Sequence, residues 1–173
     1  MEYKVGDKVV YPHHGAGTVT KKEKRNVLGQ KREYLTIRIL HNDMTVMVPV
    51  DSADQAGLRR VITPNDVGQV LTVLSQDETI MPKNWNRRFK HNREKIKTGD
   101  IFELAEVVRN LSLRDSAKGL STGEKQMFNR AKKILSSELM YAQGLDESEA
   151  DRFLDDALRE ALPTAPGRKM DDS

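Results

Sequence analysis

The sequence predicts an α+β chain with two modules. These are a small N-terminal antiparallel β domain of the SH3 or Tudor type and an all-α bundle of about five helices. Over residues 1–50, β-branched and alternating apolar residues are interrupted by turn residues. After residue 60 the apolar residues recur at intervals of three and four, which is the helical period. With 173 residues, of which 37% are hydrophobic, the chain can build two modest cores.

Short strands separated by turn signals account for the first fifty residues. A glycine turn, HHGAG, follows the first strand, and a hairpin connection containing Gly29 follows the second. Asn42-Asp43 suits a tight turn between the last two strands. In the third strand Leu35, Ile37 and Ile39 alternate with polar residues, so they are predicted to face the core. The predicted strands lie within VGDKVVYP (5–12), GTVTKKEKR (17–25), YLTIRIL (34–40) and MTVMVPV (44–50).

Helix start signals divide the remainder of the chain. Thr63 as N-cap, Pro64 at the first position and Asp66 at the third open one helix, and a second covers 84–97. Thr98 is predicted to cap a third helix. Ser121 with Glu124 forms a capping box before the fourth, and Asp146 with Glu149 repeats the signal before the last. The apolar stripes are Val67, Val70, Leu71 and Leu74; Ile101, Leu104, Val108 and Leu111; Met127, Ala131, Ile134, Leu135 and Leu139; and Phe153, Leu154, Ala157 and Leu158.

These signals give four segments. The β domain is predicted over 1–53, a linker over 54–62, the helical domain over 63–162, and a disordered tail over 163–173. The N-terminus has no signal peptide pattern, and no apolar run reaches the ~18–20 residues that a membrane helix needs. The absence of cysteine excludes disulfides and thiolate metal sites. We expect a cytoplasmic monomer.

Charge is distributed unevenly although the net charge is only +3. Residues 83–97 are strongly basic, whereas the charged residues of 138–162 are mostly acidic. Such a patch indicates either a polyanion partner or an ordinary solvated helix face.

Motifs for catalysis are weak. His13-His14 lacks further residues at metal-ligand spacing, Gly15-Ala-Gly17 lacks the rest of a dinucleotide motif, and a capping box explains STGEK at 121–125. We therefore expect no enzyme activity, no cofactor and no metal site. Two alternatives stay open: a protein–protein adaptor without DNA contact, and an enzyme that uses the histidine pair. Membrane binding is not expected, because 83–97 lacks a broad apolar face.

The only tryptophan, Trp85, lies inside the basic segment. Its spacing from Phe89 and Ile96 is helical, which favours a place in the core. Its position in the first turn of a helix, beside Arg87, Arg88 and Lys90, favours a different role. There the ring could enter a minor groove or stack on an unpaired base while the cations bind phosphates.

Several stretches, taken in order, resemble the CarD/CdnL family of bacterial transcription regulators that bind RNA polymerase. The resemblance extends to about residue 160. Transcription-repair coupling factors share the β module, but they also carry helicase motors, which this sequence lacks. The stretches are KVGDKVVYPHHGAGTV (4–19), YLTIRI (34–39), TVMVPV (45–50), NWNRRFKHNREKIKTGD (84–100), AEVVRNL (105–111) and RDSAKGLSTGEKQM (114–127).

The resemblance implies that the β module docks on the RNA polymerase β subunit through an exposed strand edge. The implied docking residues are Arg25, Thr45, Val46, Met47 and Val48. Related proteins carry arginine at position 47, so the methionine here implies a more apolar contact.

The resemblance also implies that the helical module contacts promoter DNA, without sequence preference, in the minor groove at the upstream edge of the melted bubble. Trp85 would be the wedge that stabilises the open complex. The implied backbone-contacting cations are Arg87, Arg88, Lys90 and Lys125.

Overall fold

The computed structural model of the protein describes residues 2–12 and 14–161, and it contains five antiparallel strands followed by five α-helices. The predicted fold class is confirmed. The sheet order is β4-β3-β2-β1-β5, so β4 and β5 are its edges. A 3-10 turn, Val50–Ser52, follows β4. The strands are β1 Lys8–Tyr11, β2 Gly15–Val27, β3 Gln30–Ile39, β4 Thr45–Pro49 and β5 Arg59–Arg60.

The alternation in β3 orients the sheet as predicted. Leu35, Ile37 and Ile39 are fully buried in the core of the β module. Leu28 and Gly29 both have positive φ, which makes the tight β2–β3 turn. The predicted Asn42-Asp43 turn also forms, with the Asn42 side chain accepting a hydrogen bond from the backbone N–H of Met44 at 3.0 Å.

The segment 54–62, predicted as a linker, is part of the β module instead. Leu58 is 4% exposed in the core, and its carbonyl accepts a 2.8 Å hydrogen bond from the Tyr3 hydroxyl. Arg59 and Arg60 form β5, which pairs with Val10 and Val9 of β1. A strand of two residues is too short to show an alternating pattern, so sequence periodicity could not reveal it.

Five helices form the second module, and their apolar stripes build one core. Thr63 and Asp66 cap α1 as predicted, as do Ser121 for α4 and Asp146 with Glu149 for α5. Asn84 caps α2. The helices are α1 Pro64–Ser75, α2 Trp85–Lys97, α3 Ile101–Lys118, α4 Thr122–Gln143 and α5 Glu147–Ala161.

The predicted cap of α3 is wrong by two residues. Thr98 ends α2, and its hydroxyl donates back to the carbonyl of Lys95 at 2.7 Å. Asp100 caps α3, because its carboxylate accepts from the backbone N–H groups of Phe102 at 2.7 Å and Glu103 at 3.3 Å. Gly99 between them has φ 74, which allows the sharp reversal from one helix to the next.

Helix α4 packs on β2 and joins the two modules. The carboxylate of Glu138, only 1% exposed, accepts two hydrogen bonds of 2.7 Å from Arg59 and one of 2.8 Å from the backbone N–H of Ile62. The neighbouring Ser137 hydroxyl accepts a 2.9 Å bond from the backbone N–H of Ala16. These buried polar contacts fix the helical module against the sheet.

Two features of the described residues bear on membrane binding and on the histidine pair. Among residues 2–12 and 14–161, no helix is long and apolar enough to cross a membrane. Within the same ranges no cluster of histidine and acidic residues could hold a metal ion. His13 of the histidine pair and the predicted tail 163–173 lie outside the described residues.

Candidate nucleic-acid interface

Trp85 is the first residue of α2, where the helix N-terminus and the end of α3 meet the start of α4. The side chain of Asn84 caps α2 by accepting from the backbone N–H of Arg87 at 3.1 Å. The carbonyls of Pro82 and Lys83, just before the helix, accept hydrogen bonds from the guanidinium of Arg88. These contacts fix the chain on both sides of Trp85.

The indole is held firmly yet remains accessible. It stacks on Phe89 with ring centroids 5.0 Å apart and planes 18° apart. Its Nε1–H donates a 2.8 Å hydrogen bond to the hydroxyl of Ser121, the N-cap of α4. The residue is still 41% exposed. Since its rotation is restricted by a stacked ring and a hydrogen bond, Trp85 loses little conformational freedom when it meets a partner.

Gly123, in the first turn of α4, makes room for this ring. A Cβ atom built there would lie 3.3 Å from Cζ2 of Trp85 and 3.7 Å from Cε2 of Phe89. The first of these distances is tighter than ordinary van der Waals contact, so any larger residue would push against the indole. The small residue therefore allows α4 to approach the Trp85–Phe89 pair closely.

Three of the predicted DNA-contacting cations are exposed. Arg87 and Lys90 lie on α2 within two turns of Trp85, and Lys125 lies on α4 four residues after Ser121. The backbone N–H of Lys125 bonds the carbonyl of Ser121 at 2.8 Å, so this lysine leaves the same helix start that holds the indole. Arg87 and Lys90 thus share α2 with the ring but lie about 140–160° around the helix axis from it, and Lys125 follows the start of α4.

Arg88 has a different environment from these cations. It is 3% exposed, and its guanidinium donates to both carboxylate oxygens of Glu124, at 2.8 Å and 3.2 Å. Because these contacts direct the guanidinium into the protein, the side chain is not presented to a phosphate. The burial of Arg88 disagrees with the expectation that it contacts DNA directly, and its ion pair with Glu124 ties α2 to α4 instead.

The electrostatics of Glu124 agree with that role. Burial would raise the pKa of its carboxyl, but the hydrogen bonds and charge of Arg88 outweigh burial, with help from Arg114 and Ser121, and the pKa lies below its ordinary value. The carboxylate is therefore ionised at neutral pH and keeps its pair with Arg88. In the predicted capping box, the hydroxyl of Ser121 accepts a 3.2 Å hydrogen bond from the backbone N–H of Glu124, as expected. The carboxylate of Glu124 pairs with Arg88 instead of completing the box.

The predicted docking surface maps to an edge of the sheet. Strand β4 pairs with β3 on one side only, and among the described residues no strand lies on its other side. The N–H of Ile39 donates to the carbonyl of Met44 at 2.7 Å. Hydrogen-bonded pairs alternate along an antiparallel ladder, so Val46 and Val48 bond β3, and the main chains of Thr45 and Met47 point to the open edge.

Side chains on the docking strand divide in the same way. Val48 is 2% exposed, and Val46 packs against the β core. Thr45 and Met47 are exposed, the methionine at 41%. Arg25 lies on β2, two strands away, where its guanidinium pairs with Glu23 at 2.9 Å. Of the predicted docking residues, only these last three thus present their side chains to solvent.

Two family models match consecutive parts of the chain. The CarD-like/TRCF RID domain matches residues 3–62, which is the β module through β5. The CarD C-terminal domain matches residues 69–155, most of the helical module. The chain belongs to the CarD family. A relative named "Putative transcription factor YdeB", from Bacillus subtilis (strain 168), is 35% identical over 151 residues, which is 87% of this chain and 99% of the relative.

Two solved structures from Myxococcus xanthus also match this CarD-family chain. The 72-residue N-terminal domain of CarD, solved by solution NMR, is 36% identical, covers 34% of this chain and 79% of its own, and has a TM-score of 0.31. CdnLNt is 40% identical, covers 36% of this chain and 87% of its own, and has the same TM-score of 0.31.

Sequence reasoning missed the residues that hold the indole in this CarD-family chain. The sequence shows the spacing of Phe89 and the place of Gly123 in a helix start, but not their contact with the indole. The capping box did place Ser121 and Glu124 at the beginning of α4. The sequence could not show that the start of α4 lies against α2, because the two helices are distant in the chain and meet only in the folded protein.

Proposed function

We propose that this CarD-family chain docks on the RNA polymerase β subunit and stabilises the open promoter complex. In this proposal the β module binds polymerase, and Trp85 contacts promoter DNA at the upstream edge of the melted bubble. The observation that carries the proposal is the exposed yet fixed indole at the start of α2, where it is bonded to the N-cap of α4. A ring that served only the core would be enclosed.

The DNA contact combines two physical effects. Arg87 and Lys90 on α2 and Lys125 on α4 are exposed and would supply sequence-independent attraction to phosphates, which weakens as salt rises. The free N–H groups at a helix start add a favourable environment for an anion. The apolar ring then meets kinked or unpaired DNA, where it can insert between base steps or stack on a base.

Docking on polymerase would supply the specificity that these contacts lack. The open edge of β4 offers main-chain groups of Thr45 and Met47 to an incoming strand, so that polymerase could extend the sheet. Once docked, the helical module is held near the promoter, and its effective concentration there rises. The protein would be associated with the nucleoid through this complex.

Stabilisation requires that Trp85 bind melted DNA better than closed duplex, since equal binding to both would shift nothing. Stacking on one base contributes about 1–3 kcal/mol. A difference of that size would shift the balance between closed and open promoter by about 5–150-fold. No covalent step is needed.

The test measures the lifetime of open complexes formed by cognate polymerase, with and without the protein. We expect Trp85→Ala to retain polymerase binding and to lose most of the added lifetime, because the ring is removed while the β4 edge is unchanged. Ile80→Ala is the matched control. Ile80 is also an exposed apolar side chain near α2, at 97% exposure, but it has no part in the Trp85–Phe89 stack.

An unchanged lifetime with Trp85→Ala would show that the indole is not the wedge. If the wild-type protein binds polymerase but shows no salt-dependent DNA contact, the adaptor function is the better description. If Ile80→Ala has the same effect as Trp85→Ala, a general apolar surface rather than the fixed ring is responsible.

A further inference from the structure

We propose that a cavity beside Trp85 holds one unpaired base of the DNA that this residue contacts. The cavity lies between α2 and α4 and has a volume of about 400 Å³. This size falls within the range of about 300–1,000 Å³ typical of small-molecule sites in proteins. The inference rests on the proposed function and extends it by naming a second DNA subsite and its ligand.

The floor of the cavity is apolar. It is formed by Phe89, Ile96 and Met127, of which Ile96 is 7% and Met127 8% exposed. These side chains belong to the helical core or pack against it, so the floor is rigid. A flat aromatic base has two apolar faces that would be removed from water against such a floor. A methionine sulfur also makes favourable contacts with aromatic rings.

The charge of the cavity selects an anionic ligand. Arg93 and Arg130 line its sides, and none of its described lining residues is acidic. The guanidinium carbon of Arg93 lies 5.9 Å from the centre of the Phe89 ring, at the boundary between floor and wall. A nucleotide fits this combination, because its base suits the apolar floor and its phosphate suits the guanidinium of Arg93.

The cavity continues directly from the Trp85 site. Phe89 stacks on Trp85 and also lines the cavity, and Gly123 contacts both regions. Because glycine has no side chain, nothing projects from this position between the indole and the cavity. A base that leaves its stack next to Trp85 therefore has a continuous apolar surface to follow into the cavity.

The experiment compares two labelled DNA duplexes that differ at one position. One carries a single unpaired thymidine, and the other carries an abasic residue there. Binding of the full chain is measured by fluorescence anisotropy at low salt. The protein variants are Trp85→Ala, Gln126→Trp, which places a large ring in the cavity, and the control Gln143→Trp. Both glutamines are exposed residues of α4, but only Gln126 lines the cavity.

We expect the wild-type protein to prefer the thymidine duplex by about 5-fold or more, as stacking on one base predicts. Trp85→Ala should bind both duplexes more weakly and keep this ratio, because the cavity remains. Gln126→Trp should reduce the ratio towards one by filling the cavity. Gln143→Trp should leave both affinities unchanged.

A ratio that disappears in Trp85→Ala and persists in Gln126→Trp would overturn the inference, since the base would then be stacked on Trp85 itself. A ratio of one in the wild-type protein, with binding to both duplexes, would also overturn it. In both cases the proposed function would stand. If the wild-type protein binds neither duplex at low salt, the cavity inference and the DNA contact both fail.

Discussion

Adjacent arginines on α2 have opposite environments. Arg87 is exposed, whereas Arg88 is 3% exposed and forms a bidentate ion pair with Glu124, itself 2% exposed. The two residues point about 100° apart on a helix, so one can face DNA while the other faces α4. The presence of an arginine in the sequence therefore does not distinguish a residue that can contact phosphate from one that forms a buried ion pair.

This difference predicts different losses for the same substitution. Arg87→Gln should leave the free energy of unfolding unchanged and reduce the salt slope of DNA binding by about 0.9, the value for one lost phosphate contact. Arg88→Gln should lower the free energy of unfolding by about 3–5 kcal/mol, because it leaves Glu124 buried without its partner. Urea unfolding and salt titrations of DNA binding measure the two quantities.

The pH dependence provides a control for the Arg88 effect. Arg88 holds the pKa of Glu124 below its ordinary value, so the pair stabilises the fold above the ordinary pKa of a glutamate. That contribution is lost as the pH falls through the lowered pKa. The difference in stability between wild type and Arg88→Gln should therefore shrink in acid. A difference that is constant with pH, or a reduced salt slope in Arg88→Gln, would contradict the positioning role.

Strand β4 has an open edge that suits the proposed docking. Its main-chain groups alternate between β3 and the open edge, and the residues facing the edge are Thr45, Met47 and Pro49. Pro49 has no N–H, which is tolerated because that side needs no bond within the sheet. Met47 faces the same open edge as Pro49, so its backbone N–H can bond a partner strand.

Replacing Met47 with proline removes this N–H and so tests whether polymerase binds the main chain of β4. Met47→Pro should keep β4 paired with β3 and weaken binding to polymerase by about 2–12-fold, the range for one net hydrogen bond of ~0.5–1.5 kcal/mol. Met47→Ala is the control, because it removes the side chain and keeps the N–H. Binding to immobilised polymerase measures both variants.

The two variants separate main-chain docking from side-chain docking. Equal losses in Met47→Pro and Met47→Ala would assign the contact to the methionine side chain. If binding is unchanged in both, polymerase docks elsewhere on the β module, and β4 is only a solvated edge.

Element boundaries were predictable where local chemistry decides them. Thr63 with Asp66 and Asp146 with Glu149 cap their helices through contacts three residues apart, which the sequence displays directly. Thr98 and Asp100 are both good caps, and only the turn at Gly99 decides between them. Strand β5 needs the distant strand β1 to form, so its sequence gave no local signal.

The site itself was predicted only in part. The sequence marked Trp85 and the cations near it, because a tryptophan in a basic segment is unusual at the level of composition. The helical spacing of Trp85 and Phe89 was visible in the sequence and is the spacing of their stack. The sequence could not show the bond to Ser121 or the burial of Arg88, since these depend on how α2 meets α4. Contacts between residues 36 apart in the chain are decided by tertiary packing.

At the scale of the whole molecule, the two modules must keep a fixed geometry if docking at β4 is to place Trp85 on DNA. The buried carboxylate of Glu138 holds the two modules together through its hydrogen bonds to Arg59 and to the backbone N–H of Ile62. Thr18 and Tyr141 add a 2.7 Å hydrogen bond between β2 and α4. If the connection between the modules is rigid, binding of one module also positions the other. If it were flexible, part of the binding free energy would be lost in ordering the two modules.

Glu138→Gln tests this coupling, since it keeps the size of the side chain and removes the charge that pairs with Arg59. Losing a partner of a buried ion pair weakens such an interface by up to about 3–5 kcal/mol, and the 25% exposure of Arg59 places the expected loss below that range. We expect unchanged polymerase binding but a shorter open-complex lifetime, approaching that of Trp85→Ala. Glu160→Gln, an exposed change on α5, is the control and should match wild type. Full open-complex lifetime in Glu138→Gln, combined with a looser average shape in small-angle scattering, would show that the modules act without a fixed geometry.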